Sequence, residues 1–231
     1  SNNKYPNLKI WKNKDLDQNI YTDFNEAISE DGYKLFLKKL YEYGFTVIQN
    51  CKTEMSSVEK IAKKIGYVRE SIFGGLWSFE SNEDKADSAY TQEELRPHTD
   101  STYSNDAPGL QLLLCCHYKA SGGDSIMVDG FKIAEKIKNE KKEIYDLLTQ
   151  IEVTGQYIGD GVFLKAKRPI FRVNSDSELI QVSFNNYDRA PFKFSEDKTK
   201  KFYEAIKEFD LIANNKDCLL YTSDAADDIR R

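Results

Sequence analysis

From Tyr67 onward the apolar residues come in short runs, each fenced by turn-forming residues, and this punctuation narrows the folds open to the chain more than any other feature. Residues 72–79, 110–116 after Ala107-Pro108-Gly109, and 125–128 after Gly122-Gly123 read as strands. Residues 170–173 and 179–184 flank Asn174-Ser175-Asp176-Ser177 as a hairpin. Short strands at this spacing predict a sandwich or jelly roll. Helical periods interrupt them over 131–138 and 141–148, and a last helix is predicted over 196–213, with Phe202, Tyr203, Ile206, Phe209 and Leu211 on its apolar side. Ahead of Tyr67 the pattern is helical over 31–43 with Gly44 as the stop, extended over 45–48, and helical again from a cap at Ser56 or Ser57 to Gly66. No repeat and no Pro/Gly/Ser linker divides the 231 residues, so one core is the default expectation.

Charge and hydropathy remove several classes of function. A net charge of −5 and a pI near 5.3 argue against nucleic acid as partner and favour a small molecule. Mean hydropathy is −0.63, and no apolar run approaches the ~20 residues that a membrane helix needs, so no membrane association is expected. Nor does a basic-then-apolar leader open the chain. Cys51, Cys115, Cys116 and Cys218 show neither zinc spacing nor a disulfide framework, which predicts a reducing compartment: the cytoplasm, or the mitochondrion in a eukaryote. A homodimer is compatible with this composition.

Only two histidines occur, and one of them forms the sharpest local signal, His98-Thr99-Asp100. In an extended segment the side chains at i and i+2 point the same way, so one imidazole and one carboxylate can share a metal ion. That is two-thirds of a facial triad, the two-histidine, one-carboxylate set that leaves open positions on Fe(II). A hydrogen-bonded loop pair is the alternative use of the same three residues.

Around this motif stand Arg69 through Phe79, Asp87-Ser88-Ala89-Tyr90-Thr91, Gly109-Leu110-Gln111-Leu112-Leu113, Gly122-Gly123-Asp124-Ser125, Val128-Asp129-Gly130-Phe131, and Phe184-Asn185-Asn186-Tyr187-Asp188-Arg189-Ala190-Pro191. In order and spacing they resemble the γ-butyrobetaine and trimethyllysine hydroxylases, a branch of the taurine-dioxygenase-like Fe(II)/2-oxoglutarate enzymes, over residues 43–217. The resemblance implies a mainly β fold with flanking helices, a double-stranded β-helix or jelly roll. It implies Fe(II), 2-oxoglutarate and O2 as cofactors, with ascorbate as a candidate reductant, and hydroxylation of a trimethylammonium-bearing small molecule of carnitine biosynthesis.

Carried onto this chain, the resemblance makes His98 and Asp100 the first two iron ligands. The segment that brings the family's second histidine and its 2-oxoglutarate arginine has no counterpart here, and His117 does not stand at a ligand position. Ser125 and Asn185 match positions near the cosubstrate; a strand-start serine and a loop-tying asparagine are their structural alternatives. Phe73, Trp77 and Tyr90 match walls of a trimethylammonium cage, where aromatic faces do the work because the cation has no N–H to donate. Asp87 matches a partner for the α-ammonium of trimethyllysine, whereas Gly122-Gly123-Asp124-Ser125 and Lys167-Arg168-Pro169 read more like the γ-butyrobetaine side. Rival readings are a related enzyme acting on a sulfonate or another small acid, and a catalytically dead binding module.

The chain opens on Ser1 and family members often carry a small N-terminal zinc domain, so a piece of a longer protein is expected. Residues 218–231, from Cys218 onward, resemble a translated sequencing adapter. The expected organisation is therefore a partial catalytic domain over 1–217, incomplete at its C-terminus, and a non-native tail over 218–231. That tail is expected to form a loosely packed or helical appendage.

Overall fold

The computed structural model describes residues 7–12, 16, 20–78, 95–117, 125–159, 161–222 and 228–230. They fall into two compact units. The first comprises residues 1–79, 109–126 and 221–231, and the second 80–108 and 127–220.

The first unit begins with strand β1 (Tyr21–Asp23), followed by α1 (Phe24–Ile28), α2 (Gly32–Tyr43), β2 (Thr46–Gln49) and α3 (Met55–Ile65). Asp23 ends the strand and caps α1, its carboxylate accepting from the Asn25 backbone N–H at 2.8 Å. Gly44 closes α2 in the left-handed region at φ 79°, as the sequence predicts. The two helices form the crossover that lets β1 and β2 pair in parallel, with Tyr21 opposite Val47 and Asp23 opposite Gln49. Their apolar faces close over the pair, and Phe24, Ala27, Phe36, Leu40, Ile48 and Ile61 are buried together. The hydroxyl of buried Thr46 donates to the Ile20 carbonyl at 2.7 Å, so this core carries no lost hydrogen bond there. The cap of α3 differs from expectation: the N-cap is Glu54, and Ser57 is buried inside the first turn.

The strands that complete this unit are short: β3 (Gln111–Leu112) and β4 (Ser125–Met127), then, after the second unit, β9 (Leu220–Thr222) and β10 (Asp228–Arg230). The sheet order is β1-β2-β10-β3, and β4 pairs with β9. The tail therefore departs from the expected loose or helical appendage. β10 runs antiparallel to both neighbours, with Ile229 opposite Thr46 on one side and Leu112 on the other. The physical reason is that β2 and β3 present backbone N–H and C=O groups that any extended segment satisfies, whatever its side chains.

The second unit holds α4 (Gly130–Glu140), α5 (Lys142–Gln150), β5 (Glu152–Gly159), β6 (Val162–Pro169), β7 (Phe171–Val173), β8 (Leu179–Val182) and α6 (Glu196–Ala213). Asp129 caps α4 by accepting from the backbone N–H groups of Phe131 and Lys132. Ile133, Ile137, Leu148, Phe171, Phe202, Ile206 and Phe209 form the buried core between the three helices and the β7–β8 hairpin. In that hairpin the Asn174 side-chain oxygen accepts from the N–H groups of Asp176 and Glu178, the turn chemistry expected of its sequence.

One expectation is corrected, one ribbon was not foreseen, and the fold class is met in part. Residues 72–79 are not a strand among the described residues; Ser71 and Gly74 form an isolated bridge closing a turn, with Gly74 at φ 95°. The longest ribbon, β5 with β6, paired from Glu152–Pro169 to Gly159–Val162, was not anticipated, because Gly155, Gly159, Lys165, Lys167 and Arg168 hide its alternation. Finally, the described strands form one four-stranded and three two-stranded sheets flanked by helices, which agrees with the expectation of short strands with flanking helices, while no closed barrel is seen among the described residues. The short strands and turn signals are present; what they do not do here is close on one another.

Two outcomes follow for the fold. A Cβ on Gly155 would lie 2.5 Å from the Thr102 carbonyl carbon and oxygen, so Gly155→Ala should destabilise the second unit by about 1–3 kcal/mol, measured by urea unfolding. In the first unit, the Asn50 side chain and then the Asn25 N–H hold the Asp23 carboxyl below its ordinary 3.8. Its contribution is thus present above that value and lost as pH falls through the lower, folded-state value. Below about pH 4 the wild type should lose its stability advantage over Asp23→Asn, and unfolding midpoints that stay parallel down to strong acid would contradict this.

Candidate metal centre

The segment carrying His98 and Asp100 belongs to the second unit and lies outside any strand. Two backbone features shape it. Pro97 holds Arg96 away from the helical region, and Ser101 turns the chain at φ 53°, closing a turn in which the Ser104 N–H reaches the Ser101 carbonyl. Between them, Thr99 is locked to the segment after β8. Its N–H donates to the Phe184 carbonyl at 2.7 Å and its hydroxyl accepts from the Phe184 N–H at 2.9 Å. Phe184 is itself buried against Phe209, with ring centroids 4.2 Å apart. With Thr99 facing that anchor, the residues on either side are free to turn the other way together.

They do. His98 Nε2 and Asp100 Oδ1 lie 3.2 Å apart. Two cis ligands about 2.1 Å from one ion are separated by about 3 Å, so the pair is spaced as adjacent ligands of a single cation. On its other side the ring is held by the Arg96 carbonyl, 2.8 Å from Nδ1. A metal-binding histidine commonly donates its second ring N–H to a backbone carbonyl in this way. The donor set, one imidazole and one hard carboxylate, therefore fits a first-row divalent ion as two of its ligands. Among the described residues no group of three or more His, Cys, Asp or Glu is assembled around one point, so a third ligand is not among them.

The local field also favours a cation. Burial of the ring works to lower the His98 pKa. The hydrogen bond to Asp100, the Arg96 carbonyl and the charges of Asp100 and Asp188 outweigh it, and the pKa stands above the ordinary 6.5. Asp188 is fixed by the Asn185 side-chain N–H at 2.9 Å and by the Thr102 hydroxyl at 3.4 Å. The Asn185 oxygen accepts from the Tyr187 and Asp188 N–H groups, so this residue ties its own loop and leaves one amide hydrogen for another partner. That loop is laid along β5, Gln156 donating to the Asp188 carbonyl and Ala190 to that of Thr154. Beside it opens a small, shallow cleft, partly open to solvent, lined by Thr102, Arg168, Ser183, Asn185 and Arg189 among others.

The other predicted site residues fall elsewhere. Phe73, Trp77 and Ser125 belong to the first unit. Phe73 and Trp77 are half-buried and stacked, with centroids 5.0 Å apart and planes 26° from parallel. Rings this close touch each other, so no trimethylammonium group fits between the two faces. Ser125 opens β4, half-buried. Asp87 and Tyr90 lie outside the described residues. Arg96, Tyr187 and Asp188, which contact or orient His98, carried no role in the sequence reading. The one signal for the latter two was their place in the run from Phe184 to Pro191.

Comparison with known proteins places this geometry in context. A trimethyllysine dioxygenase of Meyerozyma guilliermondii is 34% identical over 218 residues, covering 90% of this chain and 55% of the relative. The mitochondrial trimethyllysine dioxygenase of Homo sapiens is 32% identical over 167 residues, 70% of this chain and 40% of its own length. The Homo sapiens gamma-butyrobetaine dioxygenase is 28% identical over 201 residues, 84% and 52%. The chain thus spans about half the length of these relatives. The family description "Taurine catabolism dioxygenase TauD, TfdA family" matches residues 12–229, and the chain belongs to that family of dioxygenases.

Proposed function

We propose that the protein of which this chain is part hydroxylates a trimethylammonium-bearing small molecule, trimethyllysine or γ-butyrobetaine, using Fe(II), 2-oxoglutarate and O2, with ascorbate as reductant. The observation that carries this is the His98–Asp100 pair, 3.2 Å apart with Nδ1 already committed to a backbone carbonyl, in a chain of this family. The relatives of higher identity are named for trimethyllysine, which puts that substrate first. In this reading residues 1–217 are part of the catalytic domain, the small sheets are parts of a jelly roll that the longer protein closes, and residues 218–231 are non-native. Several relatives carry "mitochondrial" in their names, and none of the described helices is long and apolar enough to cross a membrane. The setting assigned in this reading is mitochondrial or cytoplasmic.

Iron, once bound with 2-oxoglutarate and oxygen, supplies the oxidising chemistry. The protein's part is position and charge. His98 and Asp100 would hold the metal as two of its ligands, and Asp188 adds negative charge beside them. Ser125 and the spare amide hydrogen of Asn185 are assigned to cosubstrate or substrate carboxylate. Phe73 and Trp77, with Tyr90, are assigned to the trimethylammonium head, and Asp87 to the α-ammonium of trimethyllysine. Each aromatic face in such a cage contributes about 0.5–2 kcal/mol.

In the full-length protein, His98→Ala and Asp100→Ala should each abolish succinate release and hydroxylation together, and undiminished turnover in either would show the ligand assignment to be wrong. The 231-residue chain alone, with two of these ligands, should bind Fe(II) weakly and turn over little. Trp77→Ala should raise KM for the trimethylammonium substrate about fivefold to tenfold while leaving binding of its uncharged tert-butyl isostere nearly unchanged. Equal losses for both ligands would point instead to a sulfonate or other small acid, whose recognition needs no aromatic cage.

A further inference from the structure

The orientation of His98 is governed by a residue far away in the chain. Tyr187 meets the imidazole edge-on, with ring centroids 5.8 Å apart and planes at 79°. The same side chain accepts the Arg96 backbone N–H on its phenol oxygen at 3.0 Å. The peptide that Tyr187 grips at its nitrogen belongs to the residue whose carbonyl oxygen faces His98 Nδ1 at 2.8 Å. A third hold comes through the Arg96 guanidinium, which pairs with Asp210 on α6 at 2.9 Å. Pro97 stiffens the link between Arg96 and the histidine. Residue 96 is thus fixed at its N–H, its side chain and its carbonyl, while the ring it serves is fixed by Tyr187.

This matters because a neutral imidazole has one N–H and two places for it. If Nδ1 carries the proton, it is donated to the Arg96 carbonyl and Nε2 presents a lone pair beside Asp100. If Nε2 carries it, the proton goes to Asp100 Oδ1, 3.2 Å away, and neither group is available to a cation. The two tautomers compete: a carbonyl cannot donate, so its 2.8 Å contact with Nδ1 requires the proton on that nitrogen, whereas 3.2 Å from Nε2 to Asp100 is long for a charge-assisted bond, and this geometry favours the first. We infer that Tyr187 and Arg96 are positioning residues that hold His98 as the Nδ1–H tautomer, with Nε2 and Asp100 directed at one ion. The inference rests on the reading of His98 and Asp100 as ligands. Ion pairing at an exposed Arg96 side chain adds little energy by itself. Its role is geometric, and Tyr187 is the decisive partner.

With only two histidines, the 231-residue chain suits a direct test. Histidine-labelled, metal-free protein is observed by two-bond nitrogen–proton correlation at a pH where the imidazoles are neutral. His98 is expected in the Nδ1–H pattern in the wild type. Tyr187→Phe keeps the ring and removes the acceptor for Arg96, and should move His98 toward the Nε2–H pattern. Tyr187→Leu should do so more strongly. The His117 signals should stay put, showing that the fold is intact, and Tyr187 is 48% exposed, so neither change empties the core. Co(II) titration should show about tenfold weaker binding in Tyr187→Phe. A wild-type His98 in the Nε2–H form, or a pattern unchanged in both variants, would overturn the inference. Undiminished Co(II) binding by His98→Ala would sink the ligand assignment alone, since the metal-free spectra decide the tautomer without it.

Discussion

The reciprocal pair of hydrogen bonds between Thr99 and Phe184 is the constraint on which the candidate site depends. The segment around His98 has no strand ladder of its own, so nothing local keeps its backbone extended. Phe184, packed on Phe209 within the helical core, provides that order from outside. Once Thr99 faces the core, the alternation of an extended chain sends His98 and Asp100 to the opposite side together. At the far end of the segment Thr102 passes directly over Gly155, where no side chain would fit, so β5 supports the loop from below. A loose connection thereby acquires the precision of the core.

Charge is arranged around that support in two layers. Asp100 contacts the imidazole, and Asp188 stands behind it, held by Asn185 and Thr102. Against the cost of burial, the hydrogen bonds to Asp100 and the Arg96 carbonyl and the charges of Asp100 and Asp188 raise the His98 pKa, and the same negative charge suits a cation. The neighbouring cation is used differently. The Arg189 guanidinium lies over the Phe192 and Tyr203 rings, 5.1 and 4.9 Å from their centroids. It is a packing element of the 184–194 region, with its Nη1 buried and lacking a hydrogen-bond partner among the described residues. Positive charge is thereby tied up on aromatic faces while negative charge faces the imidazole.

The two units solve the problem of short strands in different ways. In the first, α1 and α2 form a crossover that buries Phe36 and Leu40 and allows β1 and β2 to run parallel. In the second, the core belongs to three helices, and the hairpins lie against it. Backbone pairing recruits residues 228–230 into the first sheet although their composition is unlike that of an interior strand. Hydrogen-bonding groups on a strand edge do not read side chains, so strand order alone does not distinguish a native segment from a foreign one.

What the chain discloses unaided is whatever depends on neighbours in sequence. Helical periodicity located α2, α4, α5 and α6, Gly44 marked the end of α2, and Asn174 through Ser177 marked the hairpin. The same is true of the pairing of His98 with Asp100, because an imidazole and a carboxylate two residues apart converge in any extended segment. The β5–β6 ribbon escaped notice, since its glycines and basic residues blur the alternation that backbone pairing nevertheless imposes. Likewise the phenol that grips Arg96 comes from 91 positions away, and the carboxylate of Asp210 from 114. Periodicity encodes which face of an element is buried; it holds no record of which distant carbonyl or hydroxyl arrives there. Residue type and spacing therefore put an imidazole and a carboxylate within reach of one another. Closure of the chain onto Phe184 and Tyr187 decided which nitrogen of the histidine lies beside Asp100 and which beside the Arg96 carbonyl.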